Sequence, residues 1–186
     1  MKKQGIKTHL NEYSIYNKRV TTINHAFASA IAENDDYNET KIDEALRILG
    51  QDPNGNLSCF YCDDPAETWD HIYGLVKKGE YSGYGHVVGN LVPCCKKCNS
   101  EKGNQNWQNF LQKKISDTKQ REHKVEILKK YLASFIQKPC NYGEIKKICK
   151  AKTTRYENIR KKITEHMIEA DKIAKEIREK LKKHNT

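Results

Sequence analysis

Two Cys-x-x-Cys pairs, Cys59 with Cys62 and Cys95 with Cys98, bracket the residues most suited to chemistry: Asp70, His71, Asn90 and, just beyond, Asn99. A tight turn between paired cysteines lets both thiolates converge on one ion, and two such turns complete a tetrahedral sulfur shell of the kind that holds structural zinc. Lys96 and Lys97 inside the second pair, and the ion itself, favour thiolate over thiol. Cys94 offers a competing Cys-x-x-x-Cys register to Cys98, so Cys94 and Cys95 are both open as the third ligand, with Cys95 preferred. Unrelated reduced cysteines or a redox pair are the alternatives to a metal.

The other four residues offer nitrogen and oxygen. A neutral imidazole accepts a proton near pH 7, and carboxylate or amide oxygens suit a hard cation such as Mg²⁺, whereas thiolates select zinc. Two metals would therefore keep separate shells. His71 needs a partner on its second nitrogen, by default a backbone carbonyl, and His86 is a second candidate for chemistry. A lone histidine beside an apolar run is otherwise a packed core residue, Asn90 a turn residue and Lys102 a solvated helix charge.

The local pattern says how these residues are carried. Asp70-His71-Ile72 follows Trp69 and reads as the end of a strand, and Val87–Val92 reads as a second strand. Lys77–Gly85, with three glycines and no apolar period, is the loop joining them. Trp107, Phe110, Leu111 and Ile115 recur at helical spacing, so Asn99 opens a helix or the turn before it. Gln105, Asn106 and Gln108 follow as base-reading or merely solvent-facing amides.

Strand, loop, strand and helix carrying Asp70-His71-Ile72, Asn90-Leu91-Val92-Pro93, Cys95-Lys96-Lys97-Cys98-Asn99 and Lys102-Gly103 resembles the HNH endonuclease family and its ββα-metal site. The resemblance runs from Cys59 to about Phe110. It implies that His71 is the general base for water, that Asp70 and Asn99 hold one Mg²⁺ or similar ion, and that Asn90 fixes the loop and orients His71. It also implies products with 5′-phosphate and 3′-hydroxyl ends; double-stranded DNA is the expected substrate, with Lys96, Lys97 and Lys102 as the expected nucleic-acid contacts. The last family position is Asn99 where many members have histidine, which bears on the metal preferred. Restriction or another phage-defence role is the first expectation for such a nuclease. A zinc-stabilised module that only binds nucleic acid, or a nuclease subunit of a larger complex, is the competing one.

The rest of the chain surrounds this module. A net charge of +10 suits a polyanionic partner. No stretch approaches the ~18 apolar residues of a membrane span and no signal peptide precedes the cysteines, so a reducing cytoplasm is expected, with Cys140 and Cys149 as ordinary thiols. Apolar residues from Leu10 to Ile31 recur at three and four, giving a helix to about Glu33. Thr40 caps a second helix that Gly50 closes, and Lys18 and Arg19 are candidate phosphate contacts. A helix from Val125 stops at Lys138-Pro139, Glu144–Cys149 forms a short one, and Thr153-Thr154 caps a final helix of nearly thirty residues. Its seam breaks at His166 and Lys180, so it reads as a basic flank along nucleic acid, with a homodimer cutting both strands as the second option. The expected fold is α+β and mostly helical: residues 1–52 form an N-terminal helical region, 53–115 the nuclease module and 116–186 a basic helical region.

Overall fold

The computed structural model describes residues 3, 6–135, 139–140 and 142–184. The fold is α+β and mostly helical. After a single turn, α1 (Ile6–His9), come α2 (Ile15–Ile31), α3 (Glu39–Ile48), β1 (Thr68–His71), β2 (Val76–Lys77), β3 (Glu80–Tyr81), β4 (Leu91–Cys94), α4 (Lys96–Lys102), α5 (Trp107–Lys114), α6 (Thr118–Phe135), α7 (Tyr142–Ile148) and α8 (Lys150–His184).

Several helix ends differ from the sequence expectation, and each has a local cause. The first long helix begins at Ile15, not Leu10, because Ser14 caps it: its hydroxyl accepts from the Asn17 amide, and Asp171 of α8 accepts from the Ile15 and Tyr16 amides at 2.7 and 3.1 Å. Asn38, not Thr40, caps α3 by accepting from the Lys41 amide at 2.9 Å. Gly50 follows that helix at φ 74°, as expected. Asn99 lies inside α4 and does not open it, and the chain turns at Gly103 before Asn106 caps α5 through the Gln108 and Asn109 amides. Asn106 is thereby withdrawn from base reading. The last helix starts at Lys150 and runs 35 residues, so Thr153 and Thr154 sit within its first turns, their hydroxyls donating to the Cys149 and Lys150 carbonyls. Lys138, at the expected stop of the preceding long helix, lies outside the described residues.

β1 and β4 pair antiparallel with Asp70 opposite Val92 and His71 opposite Leu91, and α4 follows directly. The second strand begins at Leu91, not Val87. Val88–Asn90 forms a 3₁₀ turn, because the Val88 amide donates to the Asp35 carboxylate at 2.8 Å and the Val88 carbonyl accepts from the Tyr131 hydroxyl. Those groups are unavailable to a ladder. Pro93, which has no N–H, sits where β4 has one strand neighbour only. The intervening loop forms its own short hairpin, β2 with β3.

Two apolar clusters hold these elements. The larger gathers Cys59, Cys94 and Cys98 with Phe60, Tyr61, Trp107, Leu111 and Leu128; the smaller gathers Ala28, Ala32, Leu75 and Tyr81. α2 lies along α8, where the Tyr156 hydroxyl donates to the Phe27 carbonyl at 3.0 Å and Arg178 pairs with Glu12 at 3.0 Å. No described helix is long and apolar enough to cross a membrane.

Candidate functional site

The four thiols of the two pairs converge: the Cys59, Cys62, Cys95 and Cys98 sulfurs all lie within 4.8 Å of one another and could hold a metal ion. Each pair sits in its own turn. In the first, Asp63 adopts a left-handed φ of 64° and is fixed by buried Lys124, whose ammonium donates to the Asp63 carboxylate at 2.6 Å and the Phe60 carbonyl at 2.7 Å. In the second, Cys95 caps α4, its sulfur accepting from the Cys98 amide at 3.4 Å. Cys94 stands outside the cluster, buried behind it, with its thiol 3.9 Å from the Cys59 sulfur. That contact, opposed by burial and supported by the Cys95, Tyr61 and Cys62 amides, pulls Cys59 down to about 4. Burial pushes Cys98 up to about 11.

On the other side of the strand pair is an imidazole pair. His71 Nε2 and His86 Nδ1 are 3.0 Å apart. The partner of His71 is therefore a second ring and not the backbone carbonyl expected from sequence. Burial first, then the charges of His86, Lys102 and His25, pushes His71 down to about 4, so the ring is neutral near pH 7. No described group occupies His71 Nδ1. Asn90 ties the two histidines together: fully buried, it accepts from the Tyr73 amide at 2.9 Å and donates to the Tyr73 and Gly85 carbonyls at 3.0 Å. Tyr73 is two residues beyond His71 and Gly85 is next to His86. Asn90 is thus a positioning residue. Gly85 is needed for a different reason, since a Cβ there would meet the Glu33 carbonyl oxygen at 2.3 Å, just where the His86 amide donates to Glu33 at 2.8 Å. Asp35 completes the support, binding the Val88 amide and Lys41. These bonds outweigh the upward effect of burial and hold its carboxyl below the usual range.

The residues expected to share a divalent ion are arranged otherwise. Asp70 is 4% exposed; it accepts from the Tyr61 hydroxyl at 2.7 Å and pairs with Lys102 Nζ at 2.9 Å. Burial pushes its carboxyl up against the pull of Lys102 and Tyr61. Lys102 is 1% exposed and also donates to the His71 carbonyl at 2.7 Å. A lysine expected to touch phosphate is instead a buried tie between α4 and β1. A divalent ion at Asp70 would lie against that ammonium, and like charges at such range in a buried site repel strongly. With Lys102 in place, Asp70 and Asn99 do not fit the ion. Asn99 turns its amide nitrogen to the Trp69 carbonyl at 3.3 Å.

Lys96 is exposed and paired with Glu67 at 2.9 Å, while Lys97 is exposed without an ion pair among the described residues. Local pattern does not single out Tyr61, Asp35 or His25; the first two act on partners that only folding brings to them, Tyr61 on the Asp70 carboxylate and Asp35 on the Val88 amide. The burial of Lys102 carried one signal: it lies four residues after Cys98, on the same inward face of a helix. All seven cysteines are free of disulfides. No protein-family model, curated protein or solved structure matches this chain.

Proposed function

We propose that the protein is a DNA endonuclease hydrolysing phosphodiester bonds, built on a structural zinc held by Cys59, Cys62, Cys95 and Cys98. Zinc is the ion such a shell selects: with Zn–S bonds of ~2.3 Å, tetrahedral ligand sulfurs lie about 3.8 Å apart, and the Cys62 and Cys95 sulfurs are 3.7 Å apart. The observation that carries the enzymatic reading is the His71–His86 pair. With His86 Nδ1 accepting from His71 Nε2–H, the lone pair of His71 Nδ1 is left to take a proton from water. Asn90 keeps both rings in register, and low basicity keeps His71 unprotonated. Restriction or phage defence remains the preferred setting.

One observation favours a second reading. Asp70 closed off by Lys102 and Tyr61 suits a zinc-stabilised module that binds nucleic acid without cutting it, or a subunit that cuts only within a larger complex. Supercoiled plasmid with Mg²⁺ or Mn²⁺ separates them. The enzyme reading expects nicked or linear product, and His71→Ala lowers the rate about 10²–10⁴-fold with melting and DNA affinity intact. Tight binding by the wild-type protein with no product overturns it in favour of the second.

A further inference from the structure

A cavity of about 330 Å³ opens between α2 and the β2–β3 hairpin, lined among others by His25, Lys77, Lys78 and Asn104. We propose that it is a subsite for a backbone phosphate of the bound nucleic acid, next to the position that His71 serves; the inference rests on the nucleic-acid reading above. The turn itself is the first argument. Its central residues Lys78 and Gly79 have φ of 53° and 80°, both left-handed, which asparagine or glycine adopts readily and lysine does not. A strained lysine at a hairpin tip places its ammonium at the cost of local comfort. The turn is also held still: Arg160 of α8 donates to the Gly79 carbonyl at 2.5 Å and to Asn24 at 2.9 Å. Neither Lys77 nor Lys78 has a carboxylate partner among the described residues, and both are exposed. The cavity wall reaches the strand that carries the chemistry through Asn104, which packs on Gly74, three residues beyond His71, so closely that a Cβ there would lie 2.6 Å from its Oδ1. Lysines at a hairpin tip are otherwise simply solvated; the fixed turn and the cavity that His25 shares with it distinguish this pair.

The test is duplex binding by fluorescence anisotropy across a salt series, using zinc-loaded protein that carries His71→Ala, so that binding is read apart from cleavage. Lys77→Gln with Lys78→Asn removes both charges while suiting the turn. The expected result is an unchanged melting curve, at least tenfold weaker binding at ~0.1 M salt and a slope of log Kd against log salt reduced by roughly 0.9 per lysine. An unchanged slope overturns the proposal. So does variant-sensitive binding of inorganic phosphate with duplex affinity unaltered, which would mark a small-anion site. Hydrolysis of bis(p-nitrophenyl) phosphate, which has no flanking phosphates, should proceed equally in the variant and fall only in His71→Ala. A failure of the catalytic reading therefore appears there and leaves the slope to judge the subsite.

Discussion

The two rings of His71 and His86 set a pH dependence unlike that of an ordinary histidine. Free imidazole titrates near 6.5, whereas burial and neighbouring charges, His86 foremost, push His71 to about 4. A group that must be neutral to act loses activity as pH falls through its folded value, so the acid limb of kcat/KM is expected near 4. His86→Ala, by removing a neighbouring charge, should move that limb upward. Stability carries the same sign: between 6.5 and about 4 the unfolded chain takes up the proton and the folded chain does not, so stability declines as pH falls through that window. A pH–rate profile, with tryptophan fluorescence confirming folding at each point, checks both. A wild-type limb at 6.5 would mean that some other group is the base.

At the scale of elements, the joint between β1 and α4 is the Asp70–Lys102 pair under the Tyr61 hydroxyl. Removing one member of a buried pair strands the other, at a cost of about 3–5 kcal/mol. Lys102→Met should show that loss in urea unfolding, and Asp70→Asn combined with it should cost less than the two single changes together. Strict additivity would mean that the pair is not formed. This joint also shows what sequence could and could not tell. The cysteine spacing named the four sulfurs, and the order of strand, loop, strand and helix was legible because turns and apolar runs are local. The beginning of α2 was not, since the Ser14 cap is completed by Asp171 of α8, 157 positions away. Nor was the partner of Lys102, because periodicity shows that a helix face is inward without showing what it meets across the core.

Across the whole molecule the two apolar clusters divide the sources of stability. The cysteines belong to the larger one, with α3 to α6 around it, while the smaller lies among α2, the β2–β3 hairpin and α7. Metal affinity in a converging thiolate site is folding free energy for the elements it ties together. It contributes little to α2 and α8, which are joined by Asp171, Tyr156 and Arg178. α8 alone has 35 residues and α2 has 17, against 10, 7, 8 and 18 in α3 to α6. Chelating the metal should therefore abolish the near-ultraviolet dichroism of Trp107 and any cleavage, yet leave more than about half of the far-ultraviolet helical signal. His71 and His86 would lose their register at once, because β1 carries the first ring and the turn leading into β4 carries the Asn90 that ties it to the second. Loss of all helical signal in one step with the metal would instead make the chain a single cooperative unit, with α2 and α8 folded only while the sulfur site is.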